Sequence, residues 1–257
     1  MSLTAPGIST AVAVEGRKAA LSPVMLATGV LLVAGVGPLA GVMTAAARGG
    51  NEQIRAQLAG FADADPWPQL LGAASQITAA AGFLAFGVAL SWLVGREFAD
   101  RTVASLFALP ISRAQIAVAK LAVFASATFP VALLLTAVVL VVGLVSGLGV
   151  PDPAAWAGLA RLFALTVLTG FVVWPVAWVA TLGRGLLPGI AATVVLIVVA
   201  QVLAVMGTGA WFPIAAPALW AVAPEQVGAE QLALVALVPV LSAALTVRAW
   251  SRLELDR

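Results

Sequence analysis

Six charged residues fall close together in an otherwise apolar chain: Arg96, Glu97, Asp100, Arg101, Arg113 and Lys120, within the stretch GREFADRTVASLFALPISRAQIAVAK from Gly95 to Lys120. Their types suit ion pairing and docking. Glu97 and Arg101 stand at i and i+4 with the acid on the N-terminal side, the better order for a helical pair, and Arg96 and Asp100 have the same spacing in the weaker order. Val103, Leu106, Phe107 and Pro110 follow at helical spacing as an apolar face, flanked by Thr102 and Ser105. This predicts a short amphipathic helix. Pro110 ends it by removing a donor and biasing Leu109 away from helical geometry. Ser112 and Gln115 match a capping box, and Ile111 and Ile116 the hydrophobic staple around it. The stretch reads as helix, proline break and newly capped helix, a rigid elbow. Charges between apolar runs also serve as a plain solvated loop that fixes topology, and the residues alone leave both readings open.

Covalent catalysis has little to work with. The sequence has no Cys, no His and no Tyr, which excludes disulfides, thiolate chemistry, His-ligated metals and His-dependent triads. A membrane enzyme would need a nucleophile, base or metal set, and the remaining Ser and carboxylates do not cluster. The two lysines, Lys18 and Lys120, do not follow Gly, so no GxxxxGK[ST] phosphate loop exists. The expectation is a chain that binds no cofactor and is not an enzyme.

The elements that position the elbow follow from composition. Of 257 residues, 62% are hydrophobic and 9% charged. A soluble domain carries about 25% charged residues. Runs free of Asp, Glu, Lys and Arg extend over Ala19–Ala47, Pro66–Gly95, Leu121–Pro151, Leu162–Gly183, Gly185–Pro224 and Gln231–Val247. A bilayer needs roughly 20 apolar residues per helix, and backbone groups in lipid must be paired internally. The expected fold is all-α, a polytopic membrane protein with six spans in a 24–250 bundle and no internal repeat. The period-2 alternation of a membrane barrel is missing. The first run exceeds a signal-peptide core and is kept as a membrane helix.

Residues 1–23 form an N-terminal segment in which Ser9–Leu21 is either a short helix lying in the interface or a solvated tail. The elbow occupies 95–112. Residues 207–228, with Pro213, Pro217 and Pro224, do not suit a span and are expected to form short re-entrant or interfacial helices anchored by Trp211 and Trp220. Trp67 is expected at the opposite boundary of a loop, as an interfacial anchor, and Asp152 as a helix cap. Residues 251–257 are a tail. Counted from a cytoplasmic N-terminus, ten of the 13 Lys and Arg fall on the inner side, with Arg48, Arg55 and Arg161 outside. This bias predicts that both termini are cytoplasmic. The net charge of +2 gives no indication of a nucleic-acid partner. Arg outnumbering Lys in an Ala- and Val-rich chain points to a GC-rich bacterial genome, and the expected location is the bacterial cytoplasmic membrane.

The order Glu97, Asp100, Thr102, Leu106, Pro110, Ser112, Arg113, Lys120 resembles the segment between spans two and three of type-2 ABC transporter permeases of the export type. There Glu, Gly-Thr, Leu, Pro, Ser-Arg and Lys occur in this order; Arg101 stands where those proteins commonly have Gly. The match covers about 25 residues, and the six-span layout extends it over the chain. The outer stretch AWFPIAAPALW is similar to the bacitracin and lantibiotic self-protection branch. The resemblance implies that the elbow is a cytoplasmic coupling helix seated on a separate ABC ATPase subunit, present in two copies, which carries ATP and Mg. It implies that Glu97 brackets the hinge and pairs with Arg101 or a partner cation, that Asp100 is among the coupling residues, that Thr102, Ser105, Leu106 and Leu109 contact the ATPase, and that Pro110, Ser112 and Arg113 fix the elbow. Arg184, in the turn Gly183–Gly185, is then a second, minor contact. It also implies a homo- or heterodimer with the pathway at the two-fold interface.

Polar residues inside spans are the candidates to line that pathway: Gln76 and Thr78 in span two, Thr166 and Thr169 in span four, Gln201 in span five. Each is also a candidate for helix–helix hydrogen bonding. No Asp, Glu or Lys is expected at mid-membrane, which argues against ion coupling and for an amphipathic or hydrophobic cargo such as a peptide antibiotic, drug or lipid. The alternatives are an ATPase-independent secondary carrier, or a structural or signalling membrane subunit that transports nothing.

Overall fold

The computed structural model describes residues 7–58, 60–61, 64–103 and 111–254. Six helices are long and apolar enough to cross a membrane: α2 Pro23–Arg48, α4 Pro66–Ala99, α5 Arg113–Val145, the broken pair Pro153–Leu182, α8 Leu186–Val205 and α10 Ala229–Ser251. The broken pair is α6 Pro153–Val172 and α7 Pro175–Leu182. Among the described residues there are also three shorter α-helices: α1 Ile8–Ala20, α3 Glu52–Gln57 and α9 Ala216–Val222. The chain is thus an all-helical, six-span protein.

Short polar side chains start several helices. Ser22 Oγ accepts from Met25 N at 3.2 Å to open α2, and Asp152 Oδ1 accepts from Ala155 N at 2.7 Å to open α6. The expected box at α5 forms in both directions: Gln115 N donates to Ser112 Oγ at 3.2 Å, and Ser112 N donates to Gln115 Oε1 at 3.0 Å. Ile116 is buried and Ile111 packs against the core, as a staple requires. Pro175 sits in the first turn of α7, where its missing N–H costs nothing, and the chain turns once at Val173–Trp174 before it. Pro38 stays inside α2 without ending it.

The helices approach through small residues. On α2, a Cβ added at Gly37 would lie 2.6 Å from Val138 of α5, and one at Gly41 2.7 Å from Val142. On α4, Gly87, Ser91 and Gly95 face Thr193, Gly189 and Gly185 in antiparallel order on and just before α8. A Cβ at Gly95 would meet the Gly185 carbonyl carbon at 2.6 Å. This close approach gains dispersion contact where lipid supplies no hydrophobic drive between helices. The hydroxyls are satisfied within their own helices, Ser91 Oγ on Gly87 O at 2.6 Å and Thr193 Oγ1 on Gly189 O at 2.9 Å.

Residues Ile8–Ala20 form a helix, with Ala11, Glu15 and Ala19 buried along one stripe against α5. Trp67 departs from expectation. It is buried, with its ring against Gly143 of α5. The glycine leaves the only depth an indole needs, so the tryptophan packs the bundle end and does not anchor an interface. The segment before α10 comprises a short turn of 3₁₀ helix at Gly209–Trp211, then α9, with Ala216 and Pro217 buried.

Candidate functional site: a buried charge square beside the elbow

The helix ends at 20–23, 99, 113, 182–186 and 251 share one end of the bundle, here the arginine-rich end. On it, four charges from three helices meet. Lys120, about two turns beyond the Ser112 cap of α5, is 1% exposed. Its Nζ donates to Glu15 Oε2 at 2.8 Å, to Glu97 Oε1 at 3.1 Å and to Leu93 O at 3.0 Å. All three donors of the ammonium are therefore used. Lys18 Nζ closes the figure, donating to Glu15 Oε1 at 2.8 Å and Glu97 Oε1 at 3.0 Å. Thr102 Oγ1 donates to Glu97 Oε2 at 2.7 Å. The square is electrically neutral and joins α1, the last turn of α4 and the first turns of α5.

Burial of Lys18 acts to lower its pKa, but the hydrogen bond and charge of Glu15, with the charge of Glu97, outweigh it and hold the ammonium above its ordinary value. The Lys120 ammonium lies 6.0 Å from the Trp250 ring, which is fully buried. Trp250 Nε1 donates to Thr181 Oγ1 at 3.0 Å, and its ring stands 5.8 Å from Phe98. Through Trp250 the square reaches α7 and α10.

The predicted pairing is corrected here. Glu97 does not pair with Arg101. The preferred i,i+4 geometry needs both residues in one helix, and α4 ends at Ala99. Arg101 has φ of 57°, in the left-handed region. Thr102 N donates to Glu97 O at 3.0 Å and Arg101 N to Phe98 O at 3.2 Å, the pair of bonds of a Schellman close. The weaker-order pair does form, Arg96 Nε to Asp100 Oδ2 at 3.1 Å, with Arg96 also over the Trp92 ring. The sequence reading expected no Asp, Glu or Lys at mid-membrane; Glu15, Glu97 and Lys120 are buried at the bundle end.

Of the other elbow residues, Val103 is buried, while Ser105, Leu106, Leu109 and Pro110 lie outside the described residues. Arg113 Nη1 donates to Leu253 O and Arg184 Nη2 to Glu254 O at 3.3 Å, so both hold the chain end after α10. Arg184 repeats the closure of Arg101, with φ of 48° and Gly185 N donating to Ala180 O at 3.1 Å.

At the opposite, proline-rich end, Gln76 and Gln201 line one cavity of about 440 Å³ between α4, α8 and α9, with Ala79, Phe83 and Leu219. Thr166 and Thr169 are buried elsewhere, their hydroxyls on Leu162 O and Leu165 O at 2.8 and 2.7 Å. Thr78 is buried where a turn of π helix, Thr78–Gly82, interrupts α4. The structure thus brings the two glutamines together and leaves the three threonines inside the bundle.

Sequence reasoning missed Lys18 and Lys120 as partners of Glu97, and Glu15 as the second acid that the two lysines share. The available signal was Lys120 standing at the mouth of the Leu121–Pro151 run, about two turns beyond the Ser112 cap, a position that demands a counter-charge.

Residues 12–200 match the family model described as ABC-2 family transporter protein. The chain belongs to this family. The matched range runs from α1 into α8 and includes all four members of the square. No curated protein matches the chain. No solved structure matches it either. An ABC-2 protein is the membrane subunit of a transporter, and such subunits work with an ABC ATPase and assemble as dimers.

Proposed function

We propose that this chain is the permease of an ATP-driven exporter, and that its 95–112 elbow is the part that an ABC ATPase pushes on. Two ATPase copies carry ATP and Mg, and a second permease chain completes the pathway. The arginine-rich end is cytoplasmic, which the ten-to-three distribution of Lys and Arg supports. The cargo is amphipathic or hydrophobic, a peptide antibiotic, drug or lipid-like molecule, leaving through the dimer interface past Gln76 and Gln201.

The observation that carries this reading is the charge square. A force applied to the elbow moves a membrane helix only if the junction between them is stiff. Glu97 sits two residues before the end of α4 and is held by two lysines and by Thr102, the first residue beyond the turn. Displacing the elbow therefore displaces α1, α4 and α5 together. The turn at Gly185 touches Gly95 on the same helix, so α8 is drawn in too.

The test is co-purification with an ABC ATPase co-expressed from the same genome, comparing wild type with Leu106→Asp. The expected result is a stable complex that the variant loses, together with its permease-stimulated ATP hydrolysis. A wild-type chain that captures no ATPase, or a variant that couples normally, refutes the docking role.

A further inference from the structure

A second concave site lies at the arginine-rich end, apart from the square. It is a cavity of about 480 Å³ between the last turns of α7 and α10, lined by Arg184, Arg248 and Arg252 with Trp178, Leu182 and Leu245. Arg248 and Arg252 are one helical turn apart, an arrangement that sets like charges against each other. Among the described residues neither has a carboxylate within salt-bridge distance. Among the described residues that line the cavity, the acidic one is Glu254.

The cavity has two unlike walls. The arginines form a cationic rim at the bundle end. Below them Leu182 and Leu245 are 59% and 41% exposed, and Leu241, one turn further along α10, is 59% exposed. A helix C-terminus attracts cations and positive-inside sorting retains them, which accounts for arginines at this end. Neither effect calls for a concave arrangement above an exposed leucine track. Guanidinium forks match phosphate oxygens in pairs, and basic pockets between spans near the cytoplasmic face suit anionic lipid headgroups.

We propose that this cavity binds the phosphate headgroup of an anionic phospholipid, with an acyl chain lying along Leu182, Leu245 and Leu241. The shared chemistry is a phosphate ester held by Arg248 and Arg252. The site depends on the protein being in a membrane and is independent of ATPase docking. Its occupant would brace α7 against α10 from the lipid side, next to the Thr181–Trp250 hydrogen bond that joins the same two helices.

The experiment uses the full chain, delipidated in detergent and titrated with phosphatidylglycerol, phosphatidylcholine or soluble glycerol 3-phosphate, with bound ligand counted by native mass spectrometry. The wild type is expected to retain phosphatidylglycerol over phosphatidylcholine. Arg248→Gln with Arg252→Gln should weaken that binding roughly thirtyfold, about fivefold per arginine. The paired Lys variants keep charge but lose the fork, and should fall between; they carry the test if the Gln pair does not fold. Equal retention of the two lipids, or unchanged binding in the Gln pair, overturns the proposal. Equal affinity for glycerol 3-phosphate overturns the lipid source and assigns a soluble phosphate. Arginine variants that keep the lipid but lose the ATPase would give the cavity to docking instead and overturn it as well.

Discussion

The two ends of the bundle close their helices with the same backbone bonds and different residues. At the proline-rich end, Gly50, Gly147 and Gly207 take the left-handed position after α2, α5 and α8, with φ of 86°, 74° and 76°. Each is followed by an amide that bonds back five residues, as Thr208 N does to Leu203 O at 3.0 Å. At the arginine-rich end the equivalent positions after α4 and α7 hold Arg101 and Arg184. A side chain in that conformation costs about 1 kcal/mol relative to glycine. The same contrast holds for burial of polar groups. One end sequesters an ion network, while the other leaves Gln76 and Gln201 exposed on a cavity. The difference teaches that local backbone stability at the arginine-rich end is given up for charge and for rigid connection.

The sharpest way to break this contrast is through its most buried cation. Lys120→Met removes the ammonium that Glu15 and Glu97 share and leaves two carboxylates facing each other with Lys18 alone between them. Deleting one partner of a buried ion pair costs about 3–5 kcal/mol, because the orphaned charge stays desolvated. The expected outcome is a large drop in thermal unfolding temperature in detergent. Adding Glu97→Gln should recover part of it, and the cycle of single and double variants should show coupling. If Lys120→Met is no more harmful than Gln201→Met at the other end, the square is not what holds the arginine-rich end.

Much of the fold was legible because its causes are local. The six apolar runs forced helices, and the box at Ser112 and Gln115 and the cap at Asp152 are side-chain chemistry read three residues away. The site was legible only halfway. The sequence singled out Glu97, but matched it to Arg101 by helical spacing, which presumes that the helix continues. The chain instead ends α4 at Ala99, and Glu97 finds Lys18 at 79 residues' separation and Lys120 at 23. Long-range pairing of this kind is set by tertiary packing. The zipper of Gly87, Ser91 and Gly95 on Thr193, Gly189 and Gly185 escaped for the same reason: small residues abound in this chain, and register between two helices is not written in either one. Trp67 misled because indole is at home both at an interface and in a glycine-lined slot, and only the position of Gly143 decides.

A milder intervention exchanges the two kinds of helix close. Arg101→Gly should stabilise the protein by about 1 kcal/mol, since glycine adopts the left-handed position without strain. Gly207→Ala should destabilise by a similar amount for the converse reason. Equilibrium unfolding in a mixed detergent series would read both. If strain alone separates the ends, the two effects are equal and opposite. If Arg101 also contacts the ATPase, the Gly variant is more stable alone and yet couples less well, which sharpens the contrast into stability against function.

The smallest effect concerns Lys18, the half-exposed corner of the square. Its folded pKa lies above the ordinary 10.5 because two carboxylates prefer it charged. The sign follows from proton linkage. A lysine whose pKa is raised on folding binds its proton more tightly in the native state, so its contribution is fully present below the unfolded value and fades as pH climbs through the folded one. The stability difference between wild type and Lys18→Met should therefore be flat from neutral pH up to about 10 and shrink only beyond it. Solvent screening at an exposed corner keeps the difference small. Unfolding temperatures of the two proteins measured across alkaline pH would show convergence above 10.5. A gap that instead closes between pH 6 and 8 would mean that Lys18 is poorly charged near neutrality, and that the square is held by Lys120 alone.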